Sequence, residues 1–142
     1  KLLALAVIAF HFAIVVLHSA AHQVLPVIAT PAQLAFIIPV IVLAPMVAGL
    51  MLLRFNKAGL LLMAVSMLGS FVFGVYYHFI ADTIDHVNHV AQMQPPFWSQ
   101  MFQSTSYLLA ISEIFGAALA VFMLLNQSRN SAQTSPEKAA RR

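Results

Sequence analysis

Apolar residues fill the chain in four long blocks, parted by short polar or proline-containing breaks. The first runs from about Leu2 to Leu25 and stops at Pro26. Thr30-Pro31 then forms a helix start, with Thr30 placed to cap and Pro31 in the first turn, where its missing N–H costs nothing. The second block extends to Leu53 and ends at Arg54-Phe55-Asn56-Lys57. Pro39 and Pro45 inside it predict a kinked or loosened helix. The third begins near Ala58 and is apolar to Phe79; its spacing of three and four then continues through Asp82, Asp85, His86 and His89. That continuation predicts a helix reaching beyond the outer membrane surface. Pro95-Pro96 ends it, Phe97-Trp98 reads as an interfacial anchor, and the fourth block runs from about Ser99 to Leu125.

About 20 apolar residues in helical form cross the hydrocarbon of a bilayer, and each block reaches that length. The expected architecture is therefore an all-α integral membrane protein, a bundle of four transmembrane helices over residues 1–126. The expected spans are 2–25, 31–53, 58–80 and 99–125. Residues 127–142, polar, serine-rich and basic, read as a disordered cytoplasmic tail. The run from Leu2 continues into a histidine-rich segment, where Ala20-Ala21 is a poor cleavage site. It is read as a retained helix rather than a signal peptide.

Composition supports lipid as the solvent. The chain is 61% hydrophobic and 8% charged, whereas soluble domains carry about a quarter charged residues. With no cysteine, disulfides, thiolate metal sites, iron–sulfur clusters and cysteine nucleophiles are all excluded.

Charge adds a direction. With four spans, Lys1, Arg54, Lys57, Arg129, Lys138, Arg141 and Arg142 fall on one side, and these are all 7 basic residues of the chain. The opposite loops, around Gln23–Ala32 and Ala81–Trp98, have none. By the positive-inside rule both termini are expected to be cytoplasmic, in a bacterial inner (plasma) membrane. The basic character then reflects topology and anionic lipid, and no nucleic-acid partner is expected. Other membrane subunits or further copies of the chain are the expected partners, because the chain is small and has no soluble domain.

The 6 histidines all lie on the first and third blocks or their outward continuation. His11, His18 and His22 are spaced by seven and four and share one helix face. His18-x-x-x-His22 sets two imidazoles one turn apart, a spacing suited to one metal ion. At about 1.5 Å rise per residue, His78 and Asp82 come to a similar height on the third helix. His18, His22, His78 and Asp82 are thus the candidate metal ligands, and imidazole with carboxylate suits zinc, iron or copper. Asp85, His86 and His89 are candidates for a second site or supporting shell, with Tyr77 a possible hydroxyl partner. A b-type heme between His18 and His78, or a pigment on one axial histidine, is the alternative.

Glu113 is the acidic residue that falls inside an apolar span, at about the depth of His11. An ionisable group there is costly and seeks a partner, so a His11–Glu113 hydrogen bond is expected. Gln103, Ser104, Ser106, Tyr107 and Ser112 make the outer half of the fourth helix polar, as if it faced the histidines. Ser66, Gly69, Ser70 and Gly74 lie at helix-packing spacing on the third helix. No Ser/His/Asp order, HExxH motif or nucleophile elbow is present. Enzymatic chemistry would need a metal-bound water with Asp82 or Asp85 as base. Purely structural histidines in an accessory subunit are the remaining alternative.

Overall fold

The computed structural model describes the backbone of residues 1–140 and the side chains of residues 1–129. Of the expected disordered tail, 127–142, the side chains beyond residue 129 and the whole of residues 141–142 lie outside the described residues. Four helices are long and apolar enough to cross a membrane: α1 (Leu2–Val24), α2 (Pro31–Arg54), α3 (Asn56–Ile80) and the stretch Pro96–Arg129 of α5 (Pro96–Ala140). Between α3 and α5 lies α4 (Val87–Val90), a single turn. No strand occurs among the described residues.

α2 begins with the cap that Thr30-Pro31 predicts. The Gln33 backbone N–H donates to Thr30 Oγ1 at 3.2 Å, and the Thr30 N–H donates to Gln33 Oε1 at 2.7 Å. Two otherwise orphaned donors are thereby satisfied reciprocally. Around Pro39 the helix loosens, as expected, into a wide π segment over Ile37–Leu43. Pro45 has no N–H to give the Ile41 carbonyl in a normal α turn. His11 Nε2 of α1 donates to that carbonyl instead, at 3.3 Å.

α2 and α3 are joined at Phe55 by a turn so tight that only glycine fits beside it. A Cβ on Gly59 would lie 2.7 Å from the Leu52 backbone nitrogen. α5 packs along both α1 and α3, and α2 lies against α1 and α3. Ala4, Leu52, Leu60, Met63, Met67 and Ala120 fill the core at the Arg54 end of the bundle. Ala21, Leu25, Val27, Val87, Val90 and Phe102 fill the opposite end. Outside this core, Leu50, Leu61, Val65, Val72, Ile111 and Phe122 are each more than half exposed. Such an apolar rim is a liability in water and the natural contact surface in lipid.

The continuation of α3 past the membrane surface does not form. The last turn, Tyr76–Ile80, is a π turn, and Ala81 leaves the helical region with φ −74° and ψ 132°. Ala81 N–H closes on Tyr76 O at 2.7 Å. The chain then folds back, so that the Asp85 carbonyl accepts from His78 Nδ1 at 3.1 Å. His86 caps α4 by accepting from the Asn88 N–H at 3.2 Å.

Candidate metal centre

Three of the four expected ligands converge. One ligand nitrogen from each of His18, His22 and His78 lies within 4.8 Å of the others. The ring centroids of His18 stand 4.7 Å from His22 and 4.9 Å from His78. Phe102 of α5, fully buried, lies against all three rings at centroid distances of 4.6, 4.9 and 5.2 Å. It forms an apolar wall that restricts the rotation of each imidazole.

The hydrogen bonds fix which nitrogen each ring offers. His22 Nδ1 donates to the Val27 carbonyl at 2.9 Å, and His78 Nδ1 donates to the Asp85 carbonyl at 3.1 Å. His18 Nδ1 lies 2.9 Å from Thr105 Oγ1. That hydroxyl donates its own hydrogen to the Met101 or Phe102 carbonyl, at 2.6 and 3.0 Å, so it accepts from His18. In a neutral imidazole a proton on Nδ1 leaves the lone pair on Nε2. His18 Nε2 and His22 Nε2 stand 3.1 Å apart. Two lone pairs at that distance repel unless a cation lies between them. Two nitrogens on a tetrahedral zinc stand about 3.3 Å apart, given Zn–N bonds of about 2.0–2.1 Å.

Asp82 is not brought to this cluster. The end of α3 at Ile80 breaks the one-turn spacing from His78, and the Asp82 side chain, 91% exposed, pairs with His89 Nε2 at 3.2 Å. His89 Nδ1 also donates to Thr83 O at 2.8 Å, and the His86 and His89 rings stand 5.7 Å apart. Asp82, His86 and His89 thus form a separate group on the segment between α3 and α5. Asp85 takes the inward position: it is buried, Gln33 Nε2 donates to its Oδ2 at 3.2 Å, and it lines one cavity with the three histidines. Tyr77 packs on Phe73 and Tyr76, at 4.6 and 5.0 Å, away from that cavity.

The cavity, about 540 Å³, runs from the histidines down to Glu113 past Ser70, Gly74 and Ser106. Its walls include Val15, Ile37, Ile41, Phe73 and Leu109, and among the described residues no Lys or Arg lines it. At its floor His11 Nδ1 faces Glu113 Oε1 at 3.9 Å, both side chains buried. The expected pair is thus assembled, at a separation too long for the expected hydrogen bond. His11 Nδ1 has no hydrogen-bond partner. Ser66 and Ser70 do not serve Glu113; they donate to Met63 O and Ser66 O of their own helix. Gly74 lies beside this carboxylate: a Cβ there would make ordinary van der Waals contact with Glu113 Oε2 at 3.8 Å.

On α5 the buried polar positions are Ser99, Thr105, Ser106, Ser112 and Glu113, whereas Ser104 and Tyr107 face outward. The residues that sequence reasoning missed are Thr105, Phe102 and Gln33. Phe102, Thr105, Ser106, Leu109, Ser112 and Glu113 recur at steps of three and four, the one signal that marks them as a single inward stripe. Gln33 carried only its capping-box spacing from Thr30, which points to a helix start and not to a site. Comparison of the chain with protein-family models, with curated proteins and with solved structures gave no match. The geometry of the helical bundle and its histidines therefore carries the functional argument: a membrane-type helical protein with a three-histidine group able to hold a metal.

Proposed function

We propose that this protein binds a transition-metal ion, zinc, copper or iron, within the membrane through His18, His22 and His78. The observation that carries this reading is the shared direction of the three Nδ1 hydrogen bonds. Each holds its imidazole with Nε2 available as a ligand, the arrangement that supporting acceptors give to metal-bound histidines. Nitrogen-only ligation suits zinc, copper and iron, with no thiolate to bias the choice. The compact spacing of the rings, with Phe102 filling the adjacent side, favours a bare ion over a b-type heme. A porphyrin needs a flat slot between two facing imidazoles.

In this proposal both termini are cytoplasmic and the metal site faces the other side of a plasma membrane. Lys1, Arg54, Lys57 and Arg129, the basic residues whose side chains are described, then lie at the cytoplasmic end, supporting the orientation through the positive-inside rule. The absence of native cysteine makes a direct test simple. Asn88→Cys and Ser128→Cys should react with an impermeant maleimide from opposite sides of the membrane.

Elemental analysis and a visible absorption spectrum of purified protein test the ligand. One metal ion per chain and no porphyrin band are expected. Metal content should fall to background in the double variant His18→Ala, His78→Ala. Equal metal content in variant and parent would sink the reading.

A further inference from the structure

Three neutral imidazoles leave the full double charge of a divalent ion uncompensated. In a low-dielectric cavity that charge is costly unless an anion sits beside it. The cavity is lined by two acidic residues, Asp85 and Glu113. Glu113 stands seven residues below Ser106 along α5, about 10 Å deeper at 1.5 Å per residue, where it faces His11 Nδ1 at 3.9 Å. Asp85 stands at the histidine level, because its backbone carbonyl receives the His78 Nδ1 proton.

The Asp85 carboxylate is also half-used in a way the fold does not need. Oδ2 accepts from Gln33 Nε2 at 3.2 Å, and Gln33 is itself held by the Thr30 cap. Oδ1 is buried and has no hydrogen-bond partner. A buried carboxylate oxygen without a donor is expensive, and its retention beside three available imidazole nitrogens calls for a cation.

We propose that Asp85, through Oδ1, is the fourth donor of the centre, which then offers three nitrogens and one oxygen to a divalent transition-metal ion. This rests on the three-histidine reading above. As folded, the carboxylate is not among the atoms lying within 4.8 Å of one another. Asp85 belongs to the loop between α3 and α4 rather than to a spanning helix. Rotation of its side chain, with Gln33 following, brings Oδ1 onto the ion while the histidines close. Asp85 thereby takes the role that spacing alone had given to Asp82, and its single negative charge offsets one of the ion's two positive charges. Gln33 is a positioning residue: its bond to Oδ2 leaves Oδ1 without a donor of its own.

The test is cobalt(II) binding to the full chain in detergent micelles, read by visible ligand-field bands and by carboxylate infrared bands on metal addition. Asp85→Asn keeps the shape and leaves the backbone bond to His78 intact. It should weaken binding about 100-fold, shift the visible bands and abolish the metal-induced carboxylate change. Gln33→Leu should weaken binding about 10-fold while keeping that infrared change. Asp82→Asn should match the parent in all three readouts. If Asp85→Asn fails to fold, the infrared change in the parent against Asp82→Asn and Gln33→Leu decides the matter, and a parent with no carboxylate change overturns the proposal. Parent-like affinity and bands in folded Asp85→Asn overturn it as well, leaving the three-histidine site standing. No cobalt or zinc binding by the parent overturns both.

Discussion

Thr105→Val isolates the contribution of one hydrogen bond to metal affinity. Thr105 and His18 are both buried, and the hydroxyl accepts from His18 Nδ1 at 2.9 Å. Valine keeps the branched shape and removes the acceptor, together with the hydroxyl's own bond to the Met101 or Phe102 carbonyl within its helix. A buried N–H left without a partner costs about 1–3 kcal/mol. The ring avoids that cost by carrying its proton on Nε2 instead, where His22 Nε2, 3.1 Å away, accepts it. The variant is then stable but locked in the wrong tautomer, with its ligand lone pair turned away. Metal binding must first reverse the tautomer, at the same cost of about 1–3 kcal/mol, which weakens affinity about 10- to 100-fold. Competition with a chromophoric zinc chelator in detergent micelles measures this directly. Thr105→Ser keeps the acceptor and should stay within about threefold of the parent. If Thr105→Val binds zinc as tightly as the parent, the assignment of Nε2 as the His18 ligand atom is refuted.

Other perturbations separate the centre from its surroundings. His18→Ala, His22→Ala and His78→Ala should each reduce zinc content sharply, while His86→Ala and His89→Ala leave it unchanged; loss in the latter pair would return the loop histidines to the site. A double-mutant cycle of His11→Ala and Glu113→Gln, read by thermal unfolding in detergent, should show a coupling of about 0.5–3 kcal/mol. Simple additivity would mean that the 3.9 Å approach carries no interaction. Gly59→Ala should destabilise by about 1–3 kcal/mol through overpacking, because its Cβ would meet backbone at 2.7 Å. Gly69→Ala meets side-chain atoms of Val40 and Phe36 at 3.3 and 3.7 Å and should unfold close to the parent temperature.

The amino-acid sequence by itself determined the solvent and the spans of this protein. Hydrophobicity summed over about 20 residues is a one-dimensional property, and helical spacing of i, i+4 is local, so α1, α2, α3, the apolar stretch of α5 and the His18–His22 pair could be read directly, whereas the single turn α4 could not. The common height of His18 and His78 was legible from helix rise alone; their approach to 4.9 Å between ring centroids was not. The meeting of His11 with Glu113 was legible too, though not its 3.9 Å separation.

Which carboxylate faces the cavity was decided by tertiary structure. Helical spacing favours Asp82, but Ala81 leaves the helix and the loop turns Asp85 inward instead. The partners that fix the site are far apart in sequence: Thr105 lies 87 residues from His18, and Gln33 lies 52 from Asp85. The rotation of each helix about its axis decides whether Thr105 or Ser104 faces the histidines, and that rotation is set by packing against neighbours. Periodicity shows that a face exists, whereas only the packed bundle shows what lies across from it.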